Sequence, residues 1–139
     1  MKKFNFRLQK VLEYRTLLEQ WAKEAYLDSR AARLEAEMAL IKIEELRQHA
    51  LRQETPTIES RQTLEMQLKQ LDQKEVEQRI VTNVLMHEEG QARNAWNEKQ
   101  IELEALKKLY EEQYNEWQRE ADRHLQGELD EWALRKKAA

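Results

Sequence analysis

The chain of 139 residues contains no cysteine, a single proline and only two glycines. Without cysteine it can form no disulfide, no thiolate zinc site and no cysteine nucleophile. Gly90 and Gly127 stand alone, so the sequence contains no glycine-rich phosphate-binding loop. Uninterrupted apolar runs are only a few residues long, far short of the roughly 20 that cross a bilayer. These absences argue against several classes of enzyme, nucleotide-binding protein and membrane protein.

Charged residues make up 37% of the chain, and its mean hydropathy is -0.99. The sequence is rich in Leu, Ala, Glu, Gln, Lys and Arg, which are the best helix formers. A disordered chain of this polarity would lack regular apolar spacing and would be richer in Pro, Gly and Ser. The composition therefore predicts long helices or a coiled coil.

The net charge of -3 is unevenly distributed along the chain. Residues 1–15 carry five basic side chains against one acidic, and residues 131–139 carry three against one. Both termini are therefore basic and the rest is acidic, so we expect no uniformly basic nucleic-acid surface. Lys2 and Lys3 are followed by Phe4-Asn5-Phe6-Arg7 rather than by an apolar run and a cleavage site. This pattern argues against a secretory signal and favours a cytoplasmic protein.

Apolar residues recur in heptads from Leu8 at position a and Val11 at position d through to Ala50. Many of these positions hold Ala, which lets a partner helix approach closely. We expect a second apolar row to flank this seam and widen it. Its members are Leu12, Leu27, Leu34, Met38 and Ile41.

The apolar seam of helix one faces either a second helix of the same chain or another copy of the chain. Pro56 favours the first alternative because it interrupts the pattern where a turn would lie.

A second heptad row begins at Leu64 and continues to Trp117. In strict register it would place several polar residues in the seam, so we expect a stutter between about residues 73 and 90. Those polar residues are Glu75, Gln78, Thr82, Glu89 and Lys99. Thr55 or Thr57 is expected to cap this second helix, with Pro56 in its first turn.

We therefore predict an all-α fold, a long antiparallel two-helix coiled-coil hairpin formed by residues 1–139. The expected elements are helix one over about 4–54, a turn over about 55–58 and helix two over about 59–135. Such a hairpin has almost no concave interior, so we expect no enzymatic activity, no cofactor and no small-molecule substrate. The three histidines would lie too far apart in it to form a metal site.

Large aromatic residues and basic charge collect near the two termini. The rings are Phe4, Phe6, Tyr110, Tyr114, Trp117 and Trp132. Because helix two is longer than helix one, residues after about Glu111 are expected to overhang helix one, fold back near Gly127, or dock on a partner. Aromatic residues and Arg dominate binding hot spots, so one interpretation is a partner-binding tip. The alternatives are that the rings pack on one another, or that the amphipathic N-terminus lies on a membrane surface.

The termini resemble those of the FliJ family, small cytosolic components of the bacterial flagellar type III export apparatus. The matching segments are Phe4-Asn5-Phe6-Arg7-Leu8-Gln9-Lys10-Val11-Leu12 with Tyr14-Arg15 and Glu19, Ala95-Trp96-Asn97-Glu98-Lys99, and Leu129-Asp130-Glu131-Trp132-Ala133-Leu134-Arg135. Together with the length and the two-helix layout, the resemblance covers essentially the whole chain.

The resemblance implies a non-enzymatic adaptor like the central stalk of rotary ATPases, peripherally associated with the membrane-bound export apparatus. Its implied partners are the hexameric flagellar export ATPase, the cytoplasmic domain of the export gate protein, and export chaperones or substrates. A basic tip would complement an acidic lining of the ATPase ring. The residues carried over to this ATPase-binding tip are Phe4, Phe6, Arg7, Leu8, Leu12, Asp130, Glu131, Trp132 and Arg135.

Three other interpretations remain open from the residues. One is a self-associating structural scaffold, and another is a chaperone that binds export substrates without the ATPase. The third is the equivalent stalk of a virulence type III secretion system, which shares this architecture. In the FliJ family the gate-binding surface lies in the middle of the hairpin, and no motif of this sequence assigns it to particular residues.

Overall fold

The computed structural model describes residues 2–138, and within that range the regular structure is entirely α-helical. Helix α1 spans Gln9–Leu51 and helix α2 spans Ile58–Ala138. Contacts such as Tyr26 on Trp96 and Arg33 on Glu89 join the two helices in antiparallel directions. The predicted all-α coiled-coil hairpin is therefore confirmed. Neither helix contains a stretch apolar enough to cross a membrane within the described residues.

The contacts between the helices fall into two compact units. The central unit is Trp21–Trp96, which includes the connection between the helices. The terminal unit comprises α1 up to Gln20, the segment before it, and α2 from Asn97 onward.

Helix α1 begins at Gln9, several residues after the start expected near residue 4. Residues 2–6 have no regular structure, and both Phe4 and Phe6 contact α2 from this segment. Two residues that are two positions apart point to the same side of an extended chain but about 200° apart on a helix. The irregular start therefore allows both rings to reach α2, which a helix beginning at residue 4 would prevent.

The connection between the helices covers residues 52–57, and Thr57 caps α2. The Ser60 backbone N–H donates to Thr57 Oγ1 at 3.1 Å, and the Thr57 N–H donates to Ser60 Oγ at 3.1 Å. This reciprocal pair is a capping box with Ser in place of the usual Glu or Gln, and it satisfies two backbone donors. Pro56 lies before the cap rather than in the first helical turn, where we expected it.

The α2 seam follows strict heptads without the expected stutter. Every heptad position from residue 64 to residue 117 is buried or half-buried. These positions are Leu64, Leu68, Leu71, Glu75, Gln78, Thr82, Leu85, Glu89, Ala92, Trp96, Lys99, Leu103, Leu106, Tyr110, Gln113 and Trp117. The polar members stay in register because they find partners: Gln78 Nε2 donates to the Ala36 carbonyl at 3.2 Å, and the Thr82 hydroxyl donates to the Gln78 carbonyl at 2.8 Å.

Helix α1 turns a slightly different face to α2 than its a and d pattern predicts. Position a is buried or half-buried throughout, and position e is half-buried throughout. The e residues are Leu12, Glu19, Tyr26, Arg33, Leu40 and Arg47. Of the d residues, Val11, Ala25 and Leu46 are exposed. The rotation brings Arg33 and Arg47 of α1 into contact with α2, where they form ion pairs with Glu89 and Glu75. Each acidic residue in the α2 seam thus has a basic partner on α1.

The second apolar row of α1 was expected to widen the seam, and for most of its members this is wrong. Leu12 is half-buried, whereas Leu27, Leu34, Met38 and Ile41 are exposed. In the heptads counted from Leu8 these four residues hold positions c and f, which lie on the side of the helix opposite the seam and therefore face away from α2. They form an exposed surface of the central unit instead of part of its core.

Helix α2 continues through Gly127 without folding back. Residues 122–138 are all exposed, and the last half-buried residue before them is Ala121. Of the three outcomes expected for the end of helix two, the structure shows a continuing helix whose sides are left uncovered.

Candidate partner-binding surfaces of the terminal unit

Five rings form an aromatic cluster between the start of the chain and α2. They are Phe4, Phe6, Tyr110, Tyr114 and Trp117. Spacings of four and three residues place the three α2 rings on one face of that helix. Their backbone positions are therefore set by α2, and the irregular segment before α1 supplies the two phenylalanines that fit between them.

The contacts of the aromatic cluster have the geometry that aromatic quadrupoles favour. The Phe4 ring meets Tyr110 and Tyr114 edge to face, with centroids 5.4 Å and 5.3 Å apart. The Phe6 ring meets Tyr110 at 5.2 Å in the same manner. Edge-to-face pairs of this kind add about 0.5–1.5 kcal/mol beyond the area they bury. In addition, Trp117 Nε1–H donates to the Lys2 carbonyl at 3.1 Å.

Most of the N-terminal residues that the sequence assigned to a binding tip are covered within the molecule, and two of them, Phe4 and Phe6, belong to the aromatic cluster. Phe6 is only 4% exposed, and Phe4, Leu8 and Leu12 are half-buried. Of this group only Arg7 is exposed. Phe6 therefore stabilises the terminal unit and presents almost no surface to a partner.

A second group of apolar residues near the end of α2 is exposed. We call it the C-terminal face: Leu125, Leu129 and Trp132, spaced four and three residues apart on one side of the helix. Trp132 is 61% exposed, and both leucines are more than half exposed. Lys136 Nζ lies 4.9 Å from the centroid of the Trp132 ring, a cation–π contact on the same face. A clustered apolar side rimmed by charge is typical of a protein-binding site.

Charged residues surround the C-terminal face. Asp130 accepts a hydrogen bond from Gln126 Nε2 at 3.1 Å, and Glu131 and Arg135 are exposed. Arg135, Lys136 and Lys137 make the last turn of α2 basic, which stabilises the negative end of the helix dipole. The C-terminal residues assigned to the tip are thus all available to a partner.

The structure separates the two halves of the predicted tip. Trp117 contacts the N-terminal segment, and Trp132 lies fifteen residues further on, about 22 Å along the helix. The N-terminal half packs within the molecule, and the C-terminal half is open. Sequence reasoning missed Leu125 and Leu129, although their helical spacing from Trp132 was a usable signal.

The sequence matches one protein-family model over almost its full length. The family is described as the flagellar FliJ protein, and the match covers residues 4–138. The chain belongs to the FliJ family. Its members are components of the flagellar export apparatus, which is a type III secretion system. No curated protein and no solved structure matches the chain.

In this FliJ-family chain, ion pairs join the two helices of the central unit. Arg47 binds Glu75 and Asp72 of α2, and it also binds Glu44 of its own helix. The Glu75 carboxylate accepts hydrogen bonds from Arg79 and Arg47, which together lower its pKa below the ordinary value of 4.5. The hydrogen bond to Glu75, followed by those to Asp72 and Glu44, raises the pKa of Arg47. The Glu75 carboxylate and the Arg47 guanidinium are therefore both charged near neutral pH, and their ion pair helps to hold the two helices in register.

Arg33 and Glu89 form the most enclosed ion pair of the FliJ-family chain. Glu89 is 5% exposed and is bound by Arg33. The hydrogen bond to Glu89 is the largest cause of the raised pKa of Arg33. Within residues 2–138 every buried polar side-chain atom has a partner, and no group of His, Asp and Glu could hold a metal ion. The charged groups of the central unit thus have a structural role in joining the helices.

Proposed function

We propose that the chain is a non-enzymatic adaptor of the flagellar export apparatus that binds the hexameric export ATPase through the C-terminal face of α2. In this role it promotes assembly of the ATPase ring and couples the ring to the cytoplasmic domain of the export gate. It also escorts export substrates or their chaperones. Membership of the FliJ family supports the setting, and the exposed side chains support the choice of surface.

The observation that carries this proposal is the exposure of Leu125, Leu129 and Trp132 along one side of α2, in a segment where every residue from 122 to 138 is exposed. Along the seam of α2, apolar residues up to Trp117 are covered. A large apolar side chain left in water forgoes about 1.5–3 kcal/mol that burial against a partner would recover. Trp is also the residue type most enriched at interface hot spots.

Charge supports binding of the same segment to an acidic surface. Arg135, Lys136 and Lys137 follow the C-terminal face directly, and Lys136 already sits over the Trp132 ring. Basic residues beside an apolar anchor steer association towards an acidic partner and make its rate depend on salt. An acidic lining of the ATPase ring would fit this arrangement.

The direct test is to mix the protein with the export ATPase of the same source and measure ATP hydrolysis and ring formation. Trp132→Ala and Leu125→Ala should weaken binding by about 10-fold or more, since each removes an exposed anchor. Arg135→Glu should weaken binding mostly at low salt, through the association rate. Far-UV circular dichroism should stay unchanged for all three variants because the residues are exposed.

The matched control is Ile101→Ala, which removes an aliphatic side chain of the same helix and unit that is 70% exposed. It should stimulate the ATPase as the unmodified protein does. A folded Trp132→Ala protein that binds and stimulates normally would contradict the proposal. Binding to a substrate or chaperone but not to the ATPase would favour the chaperone interpretation instead.

A further inference from the structure

The outward side of α1 in the central unit carries a second heptad pattern. Five exposed residues are spaced four, three, four and three apart, and we call them the outer stripe: Leu27, Ala31, Leu34, Met38 and Ile41. Met38 is 69% exposed, and Ile41 is 59% exposed. Leu34 and Met38 lie two positions on either side of the buried Ala36, which places each about 160° around the helix from the contact with α2.

This spacing is that of a coiled-coil seam. Alternating steps of four and three residues put Leu27, Leu34 and Ile41 at position d, and Ala31 and Met38 at position a. Helix α2 already occupies the opposite face of α1, so it does not cover these positions. Apolar residues at five consecutive a and d positions are more than the isolated exposed residues found on most protein surfaces.

The charges beside the outer stripe indicate which partner fits. In a parallel two-helix coiled coil, each g residue faces the e residue five positions later on the other helix. For two copies of this chain in register the facing pairs are Lys23 with Asp28, Arg30 with Glu35, and Glu37 with Lys42. Each pair joins opposite charges and occurs twice in a dimer. Glu37 also binds Arg33 of its own chain at 2.9 Å, so that third pair would be shared.

An antiparallel dimer is less favourable. Two antiparallel registers keep four apolar layers together. In one register, Asp28 faces Glu35 of the other copy. In the second register, Glu35 faces Glu35 of the other copy. Like charges that face each other across a coiled coil destabilise it, so both registers carry a repulsion that the parallel arrangement lacks.

We propose that the outer stripe is a self-association surface, which pairs in parallel and in register with the outer stripe of a second copy of this chain. The stripe covers about 21 Å, or two heptads, so the dimer is weak and forms at high concentration. The surface lies in the central unit, and this proposal does not depend on the proposed binding of the ATPase.

Sedimentation equilibrium over a concentration series tests the proposal. The unmodified protein should be monomeric at about 1 μM and shift towards twice that mass at several hundred μM, as a dissociation constant between these values requires. Met38→Glu should raise the dissociation constant by at least about 10-fold, because it buries a carboxylate in an apolar layer. If the protein remains monomeric at every concentration, the outer stripe is not a self-association surface and the proposal is overturned.

The control variant is Ile80→Glu on α2. Ile80 is 60% exposed and lies two positions before the buried Thr82, as Leu34 lies two positions before Ala36. It therefore adds the same charge to the outward side of the other helix and should leave dimerisation unchanged. Equal loss of the dimer in both variants would show a nonspecific effect of charge and would overturn the assigned surface.

Charge exchange tests the parallel arrangement. Neither Arg30 nor Glu35 has an oppositely charged residue three or four positions away, so exchanging them disturbs no pair within α1. Glu35→Arg should weaken a parallel dimer several-fold, and the double variant Arg30→Glu/Glu35→Arg should restore it. In an antiparallel dimer the single variant would strengthen association or leave it unchanged, and the double variant would not rescue it. That result would overturn the parallel proposal.

Discussion

Two segments of α2 have the same kind of sequence and very different surroundings. Between residues 64 and 117 every heptad position is buried or half-buried, whereas residues 122–138 are exposed on all sides. Both segments are helical and rich in charged helix formers. The first is stabilised by contacts with α1 and the segment before it. The second extends a helix that already exists, and extension avoids the unfavourable step of nucleation.

The difference shows that helicity and packing are separate properties of this chain. Intrinsic propensity is sufficient to extend α2 to residue 138, but it says nothing about which residues find a partner. Substitutions in the packed segment should therefore change global stability, and the same kind of substitution beyond residue 121 should change only local order or binding. The predictions below test that division, from the largest expected effect to the smallest.

Truncation of a buried ring should have the largest effect. Phe6→Ala removes a side chain that is 4% exposed and packed on Tyr110, and it should cost about 3 kcal/mol of unfolding free energy. Trp132→Ala removes a larger ring that is 61% exposed and should cost less than about 0.5 kcal/mol. Urea denaturation followed by circular dichroism measures both values. Equal losses would mean that the C-terminal face is part of the folded core.

Acid should weaken the central unit through Glu75. Its pKa is lowered in the folded protein, so the carboxylate contributes stability above its ordinary value of 4.5, and that contribution disappears as the pH falls through the folded value. Glu75→Gln should therefore lower the melting temperature near neutral pH, and the difference from the unmodified protein should disappear as the pH falls below the folded pKa of Glu75. Its control, Glu131→Gln in the exposed segment, should melt like the unmodified protein throughout. A constant difference for Glu75→Gln at every pH would contradict the assignment.

Replacing each of the two glycines of α2 with alanine should give the smallest stability effects of the three comparisons. Both lie in helical backbone, and a Cβ added at either would meet no atom within 4 Å. Gly90→Ala, in the packed segment, should raise the unfolding free energy by about 0.5–1 kcal/mol. Gly127→Ala should leave that value unchanged and slow amide hydrogen exchange only around residues 122–138. A rise in global stability from Gly127→Ala would show that the exposed segment folds cooperatively with the rest.

Much of the fold could be predicted from the sequence because its signals are local. The heptads from Leu8 and Leu64 and the single Pro56 indicate two helices and a connection. The start of α1 and the heptad register of α2 were harder to predict, because each depends on a partner elsewhere in the chain. Phe4 and Phe6 lie in the non-helical segment before α1, and from there their rings contact α2. Glu89 occupies a seam position because it forms an ion pair with Arg33 of α1. A prediction from apolar spacing alone treats a polar residue in the seam as a break in the heptad register. It therefore cannot anticipate that an ion pair with the other helix stabilises such a residue there.

The candidate site was predicted in part. Trp132 and Arg135 were assigned to a binding surface, and the structure leaves both exposed. Phe6 was assigned to the same surface, but its side chain is buried. An aromatic residue gives the same signal in sequence whether it packs inside the molecule or awaits a partner. Only the neighbours supplied by the folded chain distinguish the two cases.

The hydrogen bond from Trp117 to the Lys2 carbonyl places an unequal constraint on the two residues that form it. The acceptor is a main-chain oxygen, which every amino acid at position 2 would provide. The donor is an indole N–H, which only tryptophan carries. Natural variation can therefore change residue 2 freely without losing this bond, whereas any replacement of Trp117 removes it.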